Sequence, residues 1–200
     1  MRNPTYKYNP IMDADRYELI SREDRRMYWK NLNKDVYRIG VENTLDYLMG
    51  INPHMSVVAE LQVGAGRFVE LLENYIAMME YEHITLAGTE TYIPMEDEMG
   101  DKIKYVDIEG LRVADVIFAV ECLPSIDQWR DYLESVWNYM SPGAYLVLMD
   151  TQTPTQFRDA PKVFEGSKLV YSRIVEEGIA LKTVQGRNRK LKIKVYRKEV

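Results

Sequence analysis

The sequence predicts an α/β fold: a mostly parallel seven-stranded sheet with helices on both faces, a C-terminal antiparallel hairpin and additional N-terminal helices. Two observations support this prediction. Between residues 56 and 150, short apolar segments of strand length alternate with amphipathic segments of helical period. Near the C-terminus, two further strand-like segments flank a turn. Alternating strands and helices form right-handed crossover units, which build a parallel sheet between two layers of helices.

Five apolar segments are predicted as the parallel strands. They cover residues 56–61, 84–89, 103–107, 113–120 and 144–150. An amphipathic helix with a single apolar stripe follows the first strand, and we expect Asp127 to cap a second helix, after the fourth strand. The segment between the second and third strands is short, so the helix that joins them must be abbreviated.

The N-terminal region is predicted to be helical. Ser21 and Asp24 have the spacing of a capping box, and apolar residues at helical spacing follow them. We expect Gly40 to divide this region into two helices, and Gly50 followed by Pro53 to end it.

The C-terminal tail is predicted to be a helix followed by a hairpin. Residues 168–177 suit a helix that Gly178 ends. Residues 180–185 and 191–197 then suit two strands joined by a turn that contains Gly186. In the last of these strands lysines alternate with apolar residues, which is typical of a half-buried strand, and lysines there would protect a sheet edge from pairing.

Composition excludes several classes of protein. The chain has 200 residues, 46% of them hydrophobic, which suits one domain with a small appendage. A single cysteine, Cys122, permits no internal disulfide, and only two histidines are present, so we expect no metal site and a reducing, cytoplasmic setting. No apolar run is long enough for a membrane span. The net charge of −5 weighs against a nucleic-acid substrate.

A glycine turn between the first strand and its helix is the main candidate for a ligand site. Gly64 and Gly66 let a ligand approach the backbone closely, and the amides at the following helix N-terminus favour polar or anionic groups. The dinucleotide pattern G-x-G-x-x-G/A is not met, because Val69 stands at its last position. A tight strand-to-helix turn without a ligand is the alternative at this point.

This stretch resembles the first motif of class I S-adenosylmethionine-dependent methyltransferases. Residues 60–68 read E-L-Q-V-G-A-G-R-F beside the family pattern E/D-x-G-x-G-x-G, and Gln62 stands where the first glycine belongs. The resemblance covers about residues 56–150. It implies a Rossmann-like fold, S-adenosylmethionine as the cofactor, an N-terminal extension with cap helices at 1–55 and a methyltransferase-like domain at 56–200.

The resemblance also implies which residues hold the cofactor. Glu60, Gln62, Gly64 and Gly66 belong to the first motif, and Gln62 either bonds the cofactor's carboxylate or obstructs the site. Glu90 follows the second strand, where the family has an acid that binds the ribose hydroxyls. A solvated loop charge is the alternative there.

Later motifs complete the expected cofactor site. Asp107 would accept a hydrogen bond from the adenine amino group, and Ile108 would pack on the ring. An alternative for Asp107 is to cap a neighbouring helix. Glu121 belongs to a segment that resembles the fourth motif, and Pro142 with Gly143 matches the turn before the fifth strand.

These motifs predict a methyltransferase for a small-molecule acceptor. Glu121 is the candidate catalytic base, although a structural carboxylate or a cofactor contact is equally compatible, and Cys122 suits a buried apolar role. Tyr28 and Trp29 are candidates for an acceptor pocket or for helix packing. A non-catalytic methyltransferase-like binding protein, and a methyltransferase for RNA or protein, are the alternatives. The sequence leaves the acceptor and the oligomeric state open.

Overall fold

The computed structural model describes residues 34–63, 67–89, 103–123, 126, 128–150, 155–176 and 190–199. Four α-helices lie in these ranges: α1 (Lys34–Ile51), α2 (Arg67–Met78), α3 (Trp129–Tyr139) and α4 (Thr155–Asp159). The strands are β1 (Val57–Leu61), β2 (Thr85–Thr89), β3 (Lys104–Tyr105), β4 (Val116–Val120), β5 (Tyr145–Asp150), β6 (Ser167–Glu176) and β7 (Lys190–Lys198). Short 3-10 helices cover Glu109–Val113 and Ala160–Val163.

These strands form one seven-stranded sheet in the order β3-β2-β1-β4-β5-β7-β6. The pairs among β1 to β5 are all parallel, whereas β7 pairs antiparallel with both β5 and β6. The predicted fold class, a mostly parallel Rossmann-like sheet that ends in an antiparallel hairpin, is therefore confirmed.

The predicted helix at 168–177 is wrong, because this segment is the strand β6. Along β6, Tyr171 and Val175 lie opposite Val195 and Leu191 of β7. Val175 is buried there, and the ring of Tyr171 stacks on that of Tyr47 from α1, at 4.7 Å between centroids. Packing of β-branched and aromatic side chains therefore decides the conformation of a segment whose composition tolerates a helix. The proposed strand at 180–185 lies outside the described residues.

The position of β7 corrects a second expectation. Its burial alternates as predicted, with Leu191, Ile193 and Val195 fully buried. However, β7 lies between β5 and β6, so its lysines do not guard a sheet edge. Among the described strands, β6 and β3 form the edges.

The expected break at Gly40 is also wrong, since α1 is one continuous helix that ends at Ile51, as Gly50 and Pro53 predict. Gly40 is buried against the sheet. A Cβ atom there would lie 2.7 Å from Cδ2 of Leu191, so glycine allows α1 to approach β7 closely.

Two predicted strands are shorter than expected. The fourth begins at Val116 because the preceding residues form the 3-10 helix, and the third contains only two paired residues. Asp115 fixes the start of β4 beside β1: its Oδ2 accepts hydrogen bonds from the backbone amides of Ser56 and Val57, at 2.7 and 2.9 Å.

The core consists of one apolar layer on each face of the sheet. On one face α1 and α2 pack on the strands, where the rings of Phe68 and Phe118 are 5.2 Å apart. On the other face lie α3, α4 and the 3-10 helices, where Trp137 stacks on Phe164 at 4.8 Å. In the part of the chain that the structure describes, no helix is both long and apolar enough to cross a membrane.

Several predictions fall outside the described residues. These are the capping box at Ser21 and Asp24, the cap at Asp127, the pocket residues Tyr28 and Trp29, and the abbreviated helix between β2 and β3.

Candidate functional site

The candidate site lies at the edge of the sheet formed by the carboxyl ends of the parallel strands, around the ends of the paired strands β1 and β4. The chain leaves β1 towards β2 on one side and leaves β4 towards β5 on the other, so the connections diverge at this point. Such a switch in strand order opens a crevice in which α/β proteins bind ligands.

Gln62 is the first residue after β1 and has an unusual backbone. Its φ angle is 57°, in the left-handed region that glycine adopts freely and that other residues rarely enter. The family motif has glycine at this position. Gln62 therefore keeps the backbone conformation of a glycine turn while adding a side chain to it.

Hydrogen bonds hold Gln62 at both ends. Its backbone amide donates to Oγ1 of Thr89 at 3.3 Å, and its side-chain Nε2 donates to the hydroxyl oxygen of Tyr132 at 3.2 Å. The two hydroxyl oxygens, of Thr89 and Tyr132, are 3.1 Å apart. Thr89 also accepts the amide of Val63 on its carbonyl at 3.0 Å. The end of β2 and one residue of α3 thus fix the start of the glycine turn.

Glu121 has the same relation to β4 that Gln62 has to β1. It is the first residue after the strand, its φ angle is 49°, and its amide donates to the carbonyl of Met149 on β5 at 3.0 Å. Its carboxylate accepts a hydrogen bond from the hydroxyl of Tyr37, which is buried near the start of α1. The N-terminal helix therefore reaches the edge of the sheet where the candidate site lies.

Two more carboxyl groups are buried near this edge. Glu60 in β1 is 4% exposed and lies opposite Gly88 of β2, and Asp150 at the end of β5 is also 4% exposed. Val63 and Ile103 leave little room at Gly88: a Cβ atom there would lie 2.3 Å from Cγ2 of Val63 and 2.7 Å from Cδ1 of Ile103. Close packing therefore requires glycine in β2 beside the acid of the first motif.

Asp107 follows β3 and is exposed. Its Oδ1 accepts a hydrogen bond from the backbone amide of Gly110 at 2.7 Å, at the start of the 3-10 helix. Asp107 therefore binds the first turn of the 3-10 helix, although Ile108 is the residue at its N-cap. Ile108, half-buried beside it, packs against the core on the α3 face.

The remaining sequence candidates separate into two groups. Gly64, Gly66 and Glu90 lie outside the described residues. Cys122 is buried in the core, as predicted, and His54 lies in the turn before β1, at the opposite edge of the sheet. Among the described residues, no group of histidine, cysteine and carboxylate side chains has the arrangement of a metal site.

Tyr37, Thr89 and Tyr132 are site residues that the sequence did not indicate. Thr89 was visible only as the residue before Glu90. The two tyrosines come from helices far away in sequence, and no motif marks them. Only the packing of α1 and α3 on opposite faces of the sheet brings their hydroxyl groups to this edge.

No family model matches this chain, and no curated protein matches it in sequence. Solved structures share its fold. The plantazolicin methyltransferase BamL, in complex with a triazolic desmethylPZN analog and SAH, has a TM-score of 0.59 and 10% identity, covering 95% of this chain and 96% of its own. The plantazolicin methyltransferase BpumL in complex with SAH has a TM-score of 0.57 and 11% identity, covering 93% of this chain and 94% of its own. The cyclase SpnF has a TM-score of 0.52 and 12% identity, covering 80% of this chain and 81% of its own.

Identities this low establish a shared fold and nothing finer. The alignments with the two plantazolicin methyltransferases extend over almost the whole length of each chain. The cyclase indicates that the same fold also supports a different reaction. The function must therefore be argued from the residues of the site.

Proposed function

Starting from the fold that this chain shares with class I S-adenosylmethionine-dependent methyltransferases, we propose that it binds S-adenosylmethionine and transfers its methyl group to a small-molecule acceptor. The observation that carries the proposal is the left-handed backbone of Gln62. Strained backbone of this kind is frequent at ligand sites, and here it falls at the strand end where the first motif has glycine.

The residues at this edge fit such a cofactor. Asp107 follows β3 and Glu121 follows β4, at the carboxyl ends of two parallel strands that β2 and β1 separate. Their carboxylates can accept hydrogen bonds from amino and hydroxyl groups of one extended ligand. Ile108 supplies an apolar surface beside Asp107 for a purine ring. By sequence, Gly64, Gly66 and Glu90 would complete the set. S-adenosylmethionine, when bound, supplies an electrophilic methyl group on a sulfonium centre.

Glu121 is our candidate for the group that faces the acceptor. The hydroxyl of Tyr37 donates a hydrogen bond to its carboxylate, and this bond fixes the direction of the side chain. A carboxylate in that position can accept a proton from an acceptor hydroxyl or amine. Where the acceptor needs no deprotonation, the same group would orient it, because methyl transfer depends mainly on alignment.

A small molecule is favoured over a nucleic acid as the acceptor. The chain carries a net charge of −5, and Glu121 and Asp107 add negative charge at the site itself. These charges would repel a phosphate backbone. A single buried cysteine is typical of a cytoplasmic protein, which is the setting we propose.

Calorimetric titration with S-adenosylmethionine and S-adenosylhomocysteine tests the proposal. We expect saturable binding of both, and a loss of about tenfold in affinity for Asp107→Asn and for Glu121→Gln, because each removes a charged hydrogen-bond acceptor. Asp131→Asn, an exposed acid on α3, is the matched control and should bind as the unmodified chain does.

Two results would contradict the proposal. The first is the absence of binding heat at millimolar ligand. The second is an equal affinity of all three variants for these ligands, which would show that the cofactor does not bind at this edge. A salt-dependent shift with oligonucleotides would instead favour the RNA alternative.

A further inference from the structure

We propose that Tyr132 is a positioning residue that holds the Gln62 side chain away from the cofactor and so makes a glutamine acceptable in the first motif. This inference rests on the proposed function. It concerns the one position at which the chain departs from the glycine pattern of that motif.

The departure creates a steric problem. Glycine serves at the start of such a turn because a ligand approaches the backbone closely, and any longer side chain competes with the ligand for space. The φ angle of 57° gives Gln62 a backbone that glycine adopts freely. The two methylene carbons and the amide group of the side chain must then be placed elsewhere.

The hydrogen bonds show where the amide goes. Nε2 of Gln62 donates to the hydroxyl oxygen of Tyr132 at 3.2 Å. Tyr132 lies on α3, which packs on one face of the sheet. The hydroxyl of Tyr132 is in turn 3.1 Å from Oγ1 of Thr89, which accepts the backbone amide of Gln62 at 3.3 Å. These contacts close a ring that contains both the backbone and the side chain of Gln62.

The donors and acceptors in this ring are consistent. The side-chain amide of Gln62 donates to Tyr132, and either hydroxyl of the Tyr132–Thr89 pair can be the donor between them. With Tyr132 as the donor, Thr89 accepts twice, as a hydroxyl oxygen with two lone pairs can. Thr89 is 4% exposed, so water competes little for its hydroxyl. Because each member fixes the next, loss of the Tyr132 hydroxyl would remove the contact that directs the glutamine amide towards α3.

A double-mutant cycle on the full chain tests this inference, with S-adenosylhomocysteine as the probe. Tyr132→Phe should weaken binding by about five- to tenfold, because it removes the hydroxyl that holds Gln62 and keeps the aromatic side chain. Gln62→Gly should bind within about threefold of the unmodified chain. Adding Tyr132→Phe to Gln62→Gly should then have no further effect, since no side chain remains to be held.

The matched control is Tyr139→Phe, on the same helix. Its hydroxyl donates to Oε1 of Glu109 at 3.1 Å and does not contact Gln62. A general weakening of α3 would lower the affinity in both glutamine and glycine backgrounds, whereas the proposed role predicts rescue by glycine. The side-chain amide signal of Gln62 in a nitrogen–proton NMR spectrum gives an independent readout and should shift in Tyr132→Phe.

The outcomes separate this inference from the proposed function. Binding that is equally strong with and without the Tyr132 hydroxyl overturns the inference and leaves the function standing. An equal loss in both backgrounds overturns it as well, in favour of a structural role. No binding by any variant, Gln62→Gly included, overturns the proposed function and the inference with it.

Discussion

Gln62 and Glu121 occupy equivalent positions on neighbouring parallel strands: each is the first residue beyond its strand, and each has a left-handed backbone, with φ angles of 57° and 49°. Such a conformation costs a non-glycine residue about 1 kcal/mol. Two of them side by side, at the point where strand order reverses, indicate that the chain tolerates strain to shape this edge. Each residue also has its side chain tied to a tyrosine from a helix, Tyr132 for Gln62 and Tyr37 for Glu121.

We expect Tyr37→Phe to destabilise the protein by about 1.5–3 kcal/mol. The variant removes a hydrogen bond to a carboxylate and leaves Glu121 without that donor in a partly buried place. Urea unfolding measures the loss. Tyr47→Phe, on the same helix, removes a bond to the neutral carbonyl of Val170 at 2.9 Å and should cost less, about 1 kcal/mol. An equal loss of unfolding free energy in the two variants would show that the Tyr37 bond to a carboxylate is no stronger than the Tyr47 bond to a carbonyl.

We expect opposite effects from alanine at the two glycines of α1. At Gly40, a Cβ atom would lie 2.7 Å from Cδ2 of the fully buried Leu191, so Gly40→Ala should destabilise by about 1–2 kcal/mol. At Gly50 no atom lies within 4 Å of a new Cβ, so Gly50→Ala should stabilise by about 0.5 kcal/mol through helix propensity. Thermal unfolding of both variants checks the signs. A gain at both sites would mean that α1 does not approach β7 so closely.

Stability should fall in alkali because of Tyr196. Burial raises its pKa to about 12, whereas in the unfolded chain it lies near 10. Above about pH 10 the unfolded chain therefore loses a proton that the folded chain retains. The stabilisation is complete below that pH and disappears as the pH rises through the folded value.

The measurement compares Tyr196→Phe with the unmodified chain by urea unfolding at about pH 8 and about pH 11. The unmodified chain should lose about 1 kcal/mol more than the variant between the two conditions. Since the chain has 15 tyrosines, only this difference isolates the one at position 196. The same loss in both proteins would show that Tyr196 ionises normally.

The parallel half of the fold was predictable from the sequence because periodicity and turn residues agree there. The strands from Val57 to Asp150 all appear close to their expected places. At β6 the local signals did not decide, because Tyr171 and Val175 suit a strand only when β7 and α1 lie beside them. Gly40 misled for a related reason: a buried glycine in a helix reflects close packing, which the local sequence does not reveal.

The candidate site was predictable only in part. Gln62 could be identified as a departure from the motif, but its φ angle and its partner Tyr132 depend on the packing of α3 against the sheet. The capping bond of Asp107 was one of two expected roles, since an acid three residues before Gly110 can serve a turn as readily as a ligand. Tertiary contacts, which spacing does not encode, supply the rest.

A third left-handed residue allows the cost of this conformation to be measured away from the site. Glu80 has a φ angle of 58° at the end of α2, where the amide of Tyr81 donates to Ile76 and that of Glu80 to Ala77, at 3.0 and 3.2 Å. This pattern ends many helices and normally has glycine at the left-handed position. Glu80→Gly should therefore stabilise the protein by about 1 kcal/mol in urea unfolding.

Alanine separates the backbone effect from loss of the glutamate side chain. Glu80→Ala removes the same side chain and keeps the Cβ atom, so it should give no gain. Both variants should bind S-adenosylhomocysteine as the unmodified chain does, since α2 ends at the sheet edge opposite to Gln62. An equal gain from alanine and glycine would mean that repulsion among acidic side chains, and not backbone strain, limits stability here. In that case Glu80 would give no measure of what the left-handed backbone costs at Gln62 and Glu121.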